Sequence, residues 1–452
     1  MIEMPSLTRS KLDEELGMKF YATHSSGIGG VLRERDEDFI VIEVALGRVL
    51  CTPRDVSKLG GGEGEYTWFL LEKRGIDTVT ALRAIARALG VSHKRLSVAG
   101  LKDAHAVTFQ LACVKGVEPC ELPKRVGDRV WIHRAFKMPF KLTPGMLYGN
   151  AFRIRVRRLE AGSTESEERI QRICAELEEV GGAPNYYGYQ RFGTIRPLTH
   201  IIGRHVLRGE FEDAVRTLLT RIYPGESPRA KEARRYLAST WDFKGALEIF
   251  PRRLHHERAI IHYLVKHPGD YAGAIRTLPL SVRQLFIGAF QAYLFNLVLS
   301  KRLEAGLPLS RAVVGDLVAL RRDGDLGSIL RANESNLDKV NRLIASGRAE
   351  VVANVPGYST TLAEGVPGAI EREVLAEEEV SIDMFRIRHM PELSSRGTVR
   401  PVALRPEDMR FEVIATEEGA AALFSFTLRK GMYATVLMRE FVKPEDPAAQ
   451  GF

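Results

Sequence analysis

The segment AGLKDAHAVTFQ (99–110) holds the residue types best suited to chemistry. Asp103 falls in a polar turn between two runs of strand character, SVAG (97–100) and AVTFQLACV (106–114), with Lys102 and His105 beside it. A carboxylate fixed at a strand end and flanked by cations stays charged and aimed, and can act as nucleophile or base. Taken alone, an aspartate in a turn is an ordinary turn former. Other chemistries lack local support. The glycine cluster LGGGEGE (59–65) leads into a strand rather than a helix and ends in no GK[ST], so it is neither a dinucleotide fingerprint nor a P-loop. His255 and His256 sit in LHHERA without H-E-x-x-H, and the Ser25-Ser26 and Ser394-Ser395 pairs lack G-x-S-x-G. Cys51, Cys113, Cys120 and Cys174 form no C-x-x-C pair and no zinc spacing. NAD, ATP, metal and serine-hydrolase chemistries therefore have no local support, and the expectation from these residues is no cofactor and no metal.

The elements that would position Asp103 are read from periodicity. VLRERDEDFIVIEV (31–44) begins charged and ends in a β-branched run, and YTWFLLEKR (66–74) is a further strand. TVTALRAIARAL (78–89) is a helix that Asp77 can cap and Gly90 can end. VGDRVWIHRAF (126–136) and LYGNAFRIRVRRL (147–159) add strands; in the second, Phe152, Ile154 and Val156 alternate with Arg153, Arg155 and Arg157. ESEERIQRICAELEEV (165–180) is an amphipathic helix ended by Gly181-Gly182. NYYGYQRFG (185–193) is a Gly/aromatic loop, and from about 196 to 350 helical period dominates. YPGESPRAKEARR (223–235) has the composition of a linker or mobile loop. Strand patterning returns in MRFEVIATEEG (409–419) and LFSFTLRKGMYATVLMREFV (423–442). A β-rich start, a helical middle and a β-rich end suggest one domain interrupted by another.

The chain has 452 residues, with 65 Lys and Arg against 57 Asp and Glu, a formal charge of +8. That balance suits an anionic partner such as nucleic acid, though a mildly basic surface alone explains it equally well. Scattered cysteines fit a reducing compartment. The N-terminal residues lack the apolar stretch of about 7–15 residues that marks a signal peptide. LFIGAFQAYLFNLVLS (285–300) falls short of the roughly 18–20 apolar residues of a membrane span. It also contains Gln291 and Asn296, so it reads as a buried helix. The expectation is a cytoplasmic protein with no membrane and no indicated protein partner.

AGLKDAHAVTFQ closely resembles the G-x-K-D-x-x-A-x-T motif of the TruD pseudouridine synthases, and other motifs follow in family order. GGVLRERDEDFIVIEV (29–44) resembles the family's N-terminal segment, YGNAFRIRV (148–156) its G-N-x-F strand and NYYGYQRFG its N-Y-F-G-x-Q-R-F-G loop. FQAYLFN (290–296) and YATVLMRE (433–440) resemble a helix and a C-terminal strand. The resemblance implies an α/β (α+β) fold. It is a mixed, largely antiparallel pseudouridine synthase-like sheet with flanking helices, interrupted by a mostly helical TruD-type insertion. The catalytic domain would comprise 1–184 and 405–452. The insertion, 185–404, would close over RNA like a second jaw.

The resemblance also implies roles. Asp103 is the catalytic aspartate, Phe152 stacks on the target base, and Asn150 holds the active-site loop or the base. Arg33 stands where the family usually carries lysine; it keeps the charge but pairs through a planar fork. Lys102, His105, Gln190, Arg191 and Phe192 join the substrate-binding set, and the substrate is tRNA, with position 13 the usual target. Each residue has a plainer reading: Phe152 as core, Asn150 as turn, Arg33 and Arg35 as solvated edge, the 153–157 arginines as a solvated sheet face, and 190–192 as a brace. The residue types suit the reaction. Isomerisation breaks the bond from C1′ to N1 and forms one from C1′ to C5, so it needs a carboxylate, a flat clamp and a closed pocket. Base–aromatic stacking contributes roughly 1–3 kcal/mol, against a few kcal/mol to flip the base out. Basic side chains at 153, 155 and 157 could offset that through phosphate contacts. A non-catalytic RNA-binding or tRNA-folding protein is the alternative. An RNA methyltransferase would need a methyl-donor loop that is not seen.

Overall fold

The computed structural model describes residues 5–322 and 325–452. Its contacts divide into two compact units, Ser25–Glu179 with Leu404–Phe452, and Met1–His24 with Val180–Ala403.

The first unit is built on one sheet. Its long strands are β1 (Phe39–Ala45), β2 (Tyr66–Arg74), β3 (Val107–Lys115), β4 (Val130–Met138), β5 (Leu147–Val156), β6 (Glu407–Thr416) and β7 (Gly419–Arg429). They lie in the order β6-β7-β5-β1-β3-β2-β4. Neighbours run antiparallel except β1 and β3, which are parallel. This is the mixed, largely antiparallel sheet expected from the sequence. Helix α1 (Thr78–Ala88) packs Ala81, Ile85 and Ala86 onto Phe69, Leu71, Ala112 and Val114. Asp77 caps it by accepting the Thr80 N–H at 2.9 Å, as predicted. A second core, with Trp68, Leu70, Leu111 and Cys113, lies on the other sheet face.

In β5 Phe152, Ile154 and Val156 are buried, while Arg153 is exposed and Arg155 half-buried. By strand alternation the two arginines point away from the face that carries Phe152. They line a groove of about 480 Å³ with Arg410 and Phe411. Arg157 does not extend that basic row: it is buried against Asp38 at 2.8 Å. The expected C-terminal strand is also corrected, because YATVLMRE forms a helix, Ala434–Val442. Gly431, at φ +83°, turns the chain out of β7, and every residue of the helix is buried. A run buried on all sides shows no alternation to tell strand from helix.

The second unit is organised around helix Leu280–Glu304. By length and composition this helix could cross a membrane, but most of it is buried within the fold. Its buried polar residues are engaged. Asn296 donates to the Leu16 and Tyr187 carbonyls and accepts the Tyr187 N–H, and Ser300 donates to the Gly17 carbonyl. These bonds tie the N-terminal segment to this unit, whereas the partition expected from the sequence placed all of 1–184 with the sheet. The insertion is also not helices alone. Strands Asp325–Arg331, Leu317–Arg322, Ala349–Val355 and Thr398–Pro401 form a four-stranded antiparallel sheet in that order. The segment expected as a linker runs into helix Pro228–Thr240, which starts with a favourable first-turn proline and carries the fully buried Arg234.

Candidate active site

The loop from Ala99 to Ala106 enters β3 and carries Asp103, whose side chain is 44% exposed. The loop is stapled on both sides. Thr78, in the first turn of α1, accepts the Lys102 N–H at 3.0 Å, and Gln110 donates to the Gly100 carbonyl at 3.1 Å. Lys102 forms a buried ion pair with Glu43 of β1 at 2.9 Å, too bent to count as a straight hydrogen bond. Lys102 is thus directed inward, and its part is to hold the loop. His105 is exposed on the same loop.

Asp103 Oδ2 accepts from Arg33 Nη2 at 2.9 Å. Oδ1 takes no hydrogen bond from the described residues, so one oxygen is held and the other is open. Arg33 lies in the left-handed backbone region, φ +52°, which is uncommon for a residue with a side chain. Its guanidinium stacks over Phe39, 4.0 Å from the ring centroid, and its Nε is buried without a partner. Burial pushes its pKa below the ordinary value, and the Asp103 carboxylate opposes that shift.

Phe39 meets Phe152 edge-on, with centroids 6.1 Å apart, and Phe152 meets Phe426 at 5.5 Å. Phe152 is 7% exposed, so its packing presents only a small part of the ring. Asn150 stands opposite Glu43 in the β5–β1 register and shares its sheet face. Its Oδ1 is buried and lacks a hydrogen-bond partner. A buried acceptor left empty is a binding position in waiting. Gly149 beside it has a steric reason: a Cβ there would lie 2.1 Å from the Leu428 carbonyl oxygen. One chain of contacts therefore reaches Asp103 through Phe152, Phe39 and Arg33, while Lys102 ties the same loop to Glu43, the register partner of Asn150.

Gln190, Arg191 and Phe192 belong to the other unit. Phe192 is fully buried and edge-on to His200, 5.2 Å away, so it offers no face to a ligand. Arg191 is half-buried and donates to the Gly288 carbonyl, and Gln190 is half-buried. In the same unit His205, Glu210 and Asp213 bring potential ligand atoms within 4.8 Å of one another. His205 Nδ1 is already bonded to Glu210 at 2.7 Å, and Asp213 is an exposed carboxylate.

The family model for tRNA pseudouridine synthase D (TruD) matches residues 15–441. The chain belongs to the TruD family. A relative from Methanosarcina mazei, named "Probable tRNA pseudouridine synthase D", is 37% identical over 439 residues, covering 96% of this chain and 98% of the relative. One of the same name from Methanopyrus kandleri is 42% identical over 389 residues, 85% of this chain and 87% of that one. The crystal structure of a TruD protein from Methanosarcina mazei superposes with a TM-score of 0.81 at 37% identity, covering 99% of this chain and all of the other.

Within this TruD fold, sequence reading passed over two residues that touch the Asp103 loop. Glu43 follows Phe39 and Val41 on the inward face of β1, and Lys73 follows Phe69 and Leu71 on the inward face of β2. The signal was present in both cases: a charged residue at the alternation position where an apolar one belongs.

Proposed function

We propose that Asp103 is the catalytic carboxylate of a tRNA pseudouridine synthase, and that position 13 of tRNA is its target. The reaction class follows from the family: this chain is an isomerase that converts a uridine of tRNA to pseudouridine. The observation that supports Asp103 is its half-held carboxylate. Arg33 fixes Oδ2 at 2.9 Å and leaves Oδ1 open, within the family's own motif.

In the reaction the N1–C1′ bond breaks, uracil turns over, and a C5–C1′ bond forms. C5 loses its proton and N1 gains one, so nothing is oxidised and no group is imported. Asp103 supplies the negative oxygen next to the reacting bond, and Arg33 orients it. Asn150 suits the turning base. Its Oδ1 would accept the uracil N3–H while its amino group donates to a flanking carbonyl. Rotation that exchanges N1 for C5 runs about the C6–N3 axis. N3–H stays in place and O2 and O4 change places, so the same amide serves before and after. Phe152 offers an aromatic edge on the same sheet face. The reading is of a cytoplasmic enzyme that uses no cofactor, metal or membrane, with the insertion as a second RNA-gripping part.

Incubation with unmodified tRNA transcript and no cofactor, followed by nucleoside analysis, tests it. Pseudouridine should form at position 13, and Asp103→Asn should abolish it while tRNA binding persists. Binding without product for every tRNA would favour a tRNA-folding protein, and product from Asp103→Asn would remove Asp103 from its role.

A further inference from the structure

None of the surface of Lys73, near the end of β2, is exposed. Its ammonium donates to two main-chain carbonyls, Ile76 at 2.8 Å and Asp103 at 2.6 Å. Among the described residues it forms no ion pair. A buried ammonium without a counter-ion is costly, and an apolar residue of similar length would avoid the cost. Burial pushes its pKa down to about 8, opposed by Asp103 and Asp77, aided by Lys102, and opposed more weakly by Asp36. Those are the charged groups around it: Asp77 from the cap of α1, Asp36 from the turn before β1, Lys102 and Asp103 from the loop. Its strand partners, Thr108 of β3 and Val130 of β4, carry no charge.

The other staples of this loop act at Gly100 and Lys102. Lys73 grips the peptide of residue 103 itself. Rotation of that peptide would swing the carboxylate, and a displacement of about 1 Å can cost ~10²-fold in rate. We infer that Lys73 is a positioning residue, its charged ammonium pinning the Asp103 peptide so that the carboxylate meets the ribose–uracil bond in one orientation. This rests on Asp103 being the catalytic carboxylate.

The neutral amine loses the charge that strengthens both bonds. Raising the pH through about 8 therefore loosens the loop and lowers the rate. Stability moves the other way. The folded value lies below the ordinary 10.5, so the folded chain releases this proton first, and this group's contribution to stability rises between about pH 8 and 10.5.

The test uses the full chain and unmodified tRNA transcript, with single-turnover rates, KM and thermal melting measured from about pH 6 to about pH 10. Wild type should lose rate above about pH 8 while its melting temperature gains from this site. Lys73→Met should lower kcat about 10²-fold with KM within about twofold, and its profile should lack that alkaline fall. If Lys73→Met does not fold, Lys73→Gln keeps an N–H donor without the charge. It should give an intermediate rate and the same flat profile. A wild-type rate, or a retained alkaline fall, in either folded variant overturns the inference. Asp103→Asn run in parallel separates the two ideas: if it is inactive while Lys73→Met is normal, only the role of Lys73 falls; if it is active, the reading of the site falls.

Discussion

Arg234 of the helical unit is buried and the Arg33 side chain of the sheet unit is 10% exposed, and they use charge in opposite ways. Arg234 is 0% exposed and spends every nitrogen: Nε on Glu226 at 2.6 Å, Nη1 on the Leu218 and Leu219 carbonyls at 2.9 and 3.0 Å, Nη2 on Glu257 at 2.9 Å. It sits in regular helix. Arg33 sits in left-handed backbone, leaves Nε without a partner, and pairs with a carboxylate that is itself open to solvent. A guanidinium whose nitrogens are all spent fixes a local fold. One with a nitrogen left over, paired to a carboxylate open to solvent, keeps a hydrogen bond in reserve that a ligand can take up. Burial of a charge is thus no guide to its role until its partners are counted.

The contrast can be broken by substitution. Arg234→Met should give the larger loss of stability, about 3 kcal/mol, because the buried Glu226 and Glu257 lose Arg234 and are left to share Arg196. Chemical denaturation measures it, and the rate per folded molecule should hold. Arg33→Ala should do the reverse: about 10²-fold off kcat by loss of carboxylate orientation, with the midpoint of denaturation little changed. Arg33→Lys should recover about tenfold of that, since it keeps the charge without the fork. Asn150→Ala should be mildest, about tenfold in kcat for one hydrogen bond to the base. Equal stability losses from Arg33→Ala and Arg234→Met would erase the distinction.

Much of the sheet unit was legible because its strands are half-buried and alternate. YTWFLLEKR matches β2 over Tyr66–Arg74, and the alternation around Phe152 gives the two faces of β5. The helical unit was less so. Its four-stranded sheet, like the C-terminal helix of the sheet unit, lies in a run without a clean period, and polar composition around 223–235 concealed a helix held by a buried arginine. At the candidate site, the polar turn pointed to Asp103, and the resemblance to the TruD motifs added Arg33, Asn150 and Phe152. The open states of Arg33 Nε and Asn150 Oδ1 depend on what lies across the fold, and no spacing along the chain encodes them. Lys102 shows the same gap: its neighbour Asp103 is exposed, yet its own ammonium is turned inward onto Glu43.

The placement of β5 has a consequence for synthesis. It lies between β1, made early, and β7, residues 419–429, made near the end. While the ribosome translates the intervening helical unit, the strand bearing Asn150 and Phe152 has one side without a partner, an edge prone to pairing with other chains. The nascent protein must carry that open edge through most of its translation, and the sheet face that bears Asn150 and Phe152 is completed only once the last strand emerges.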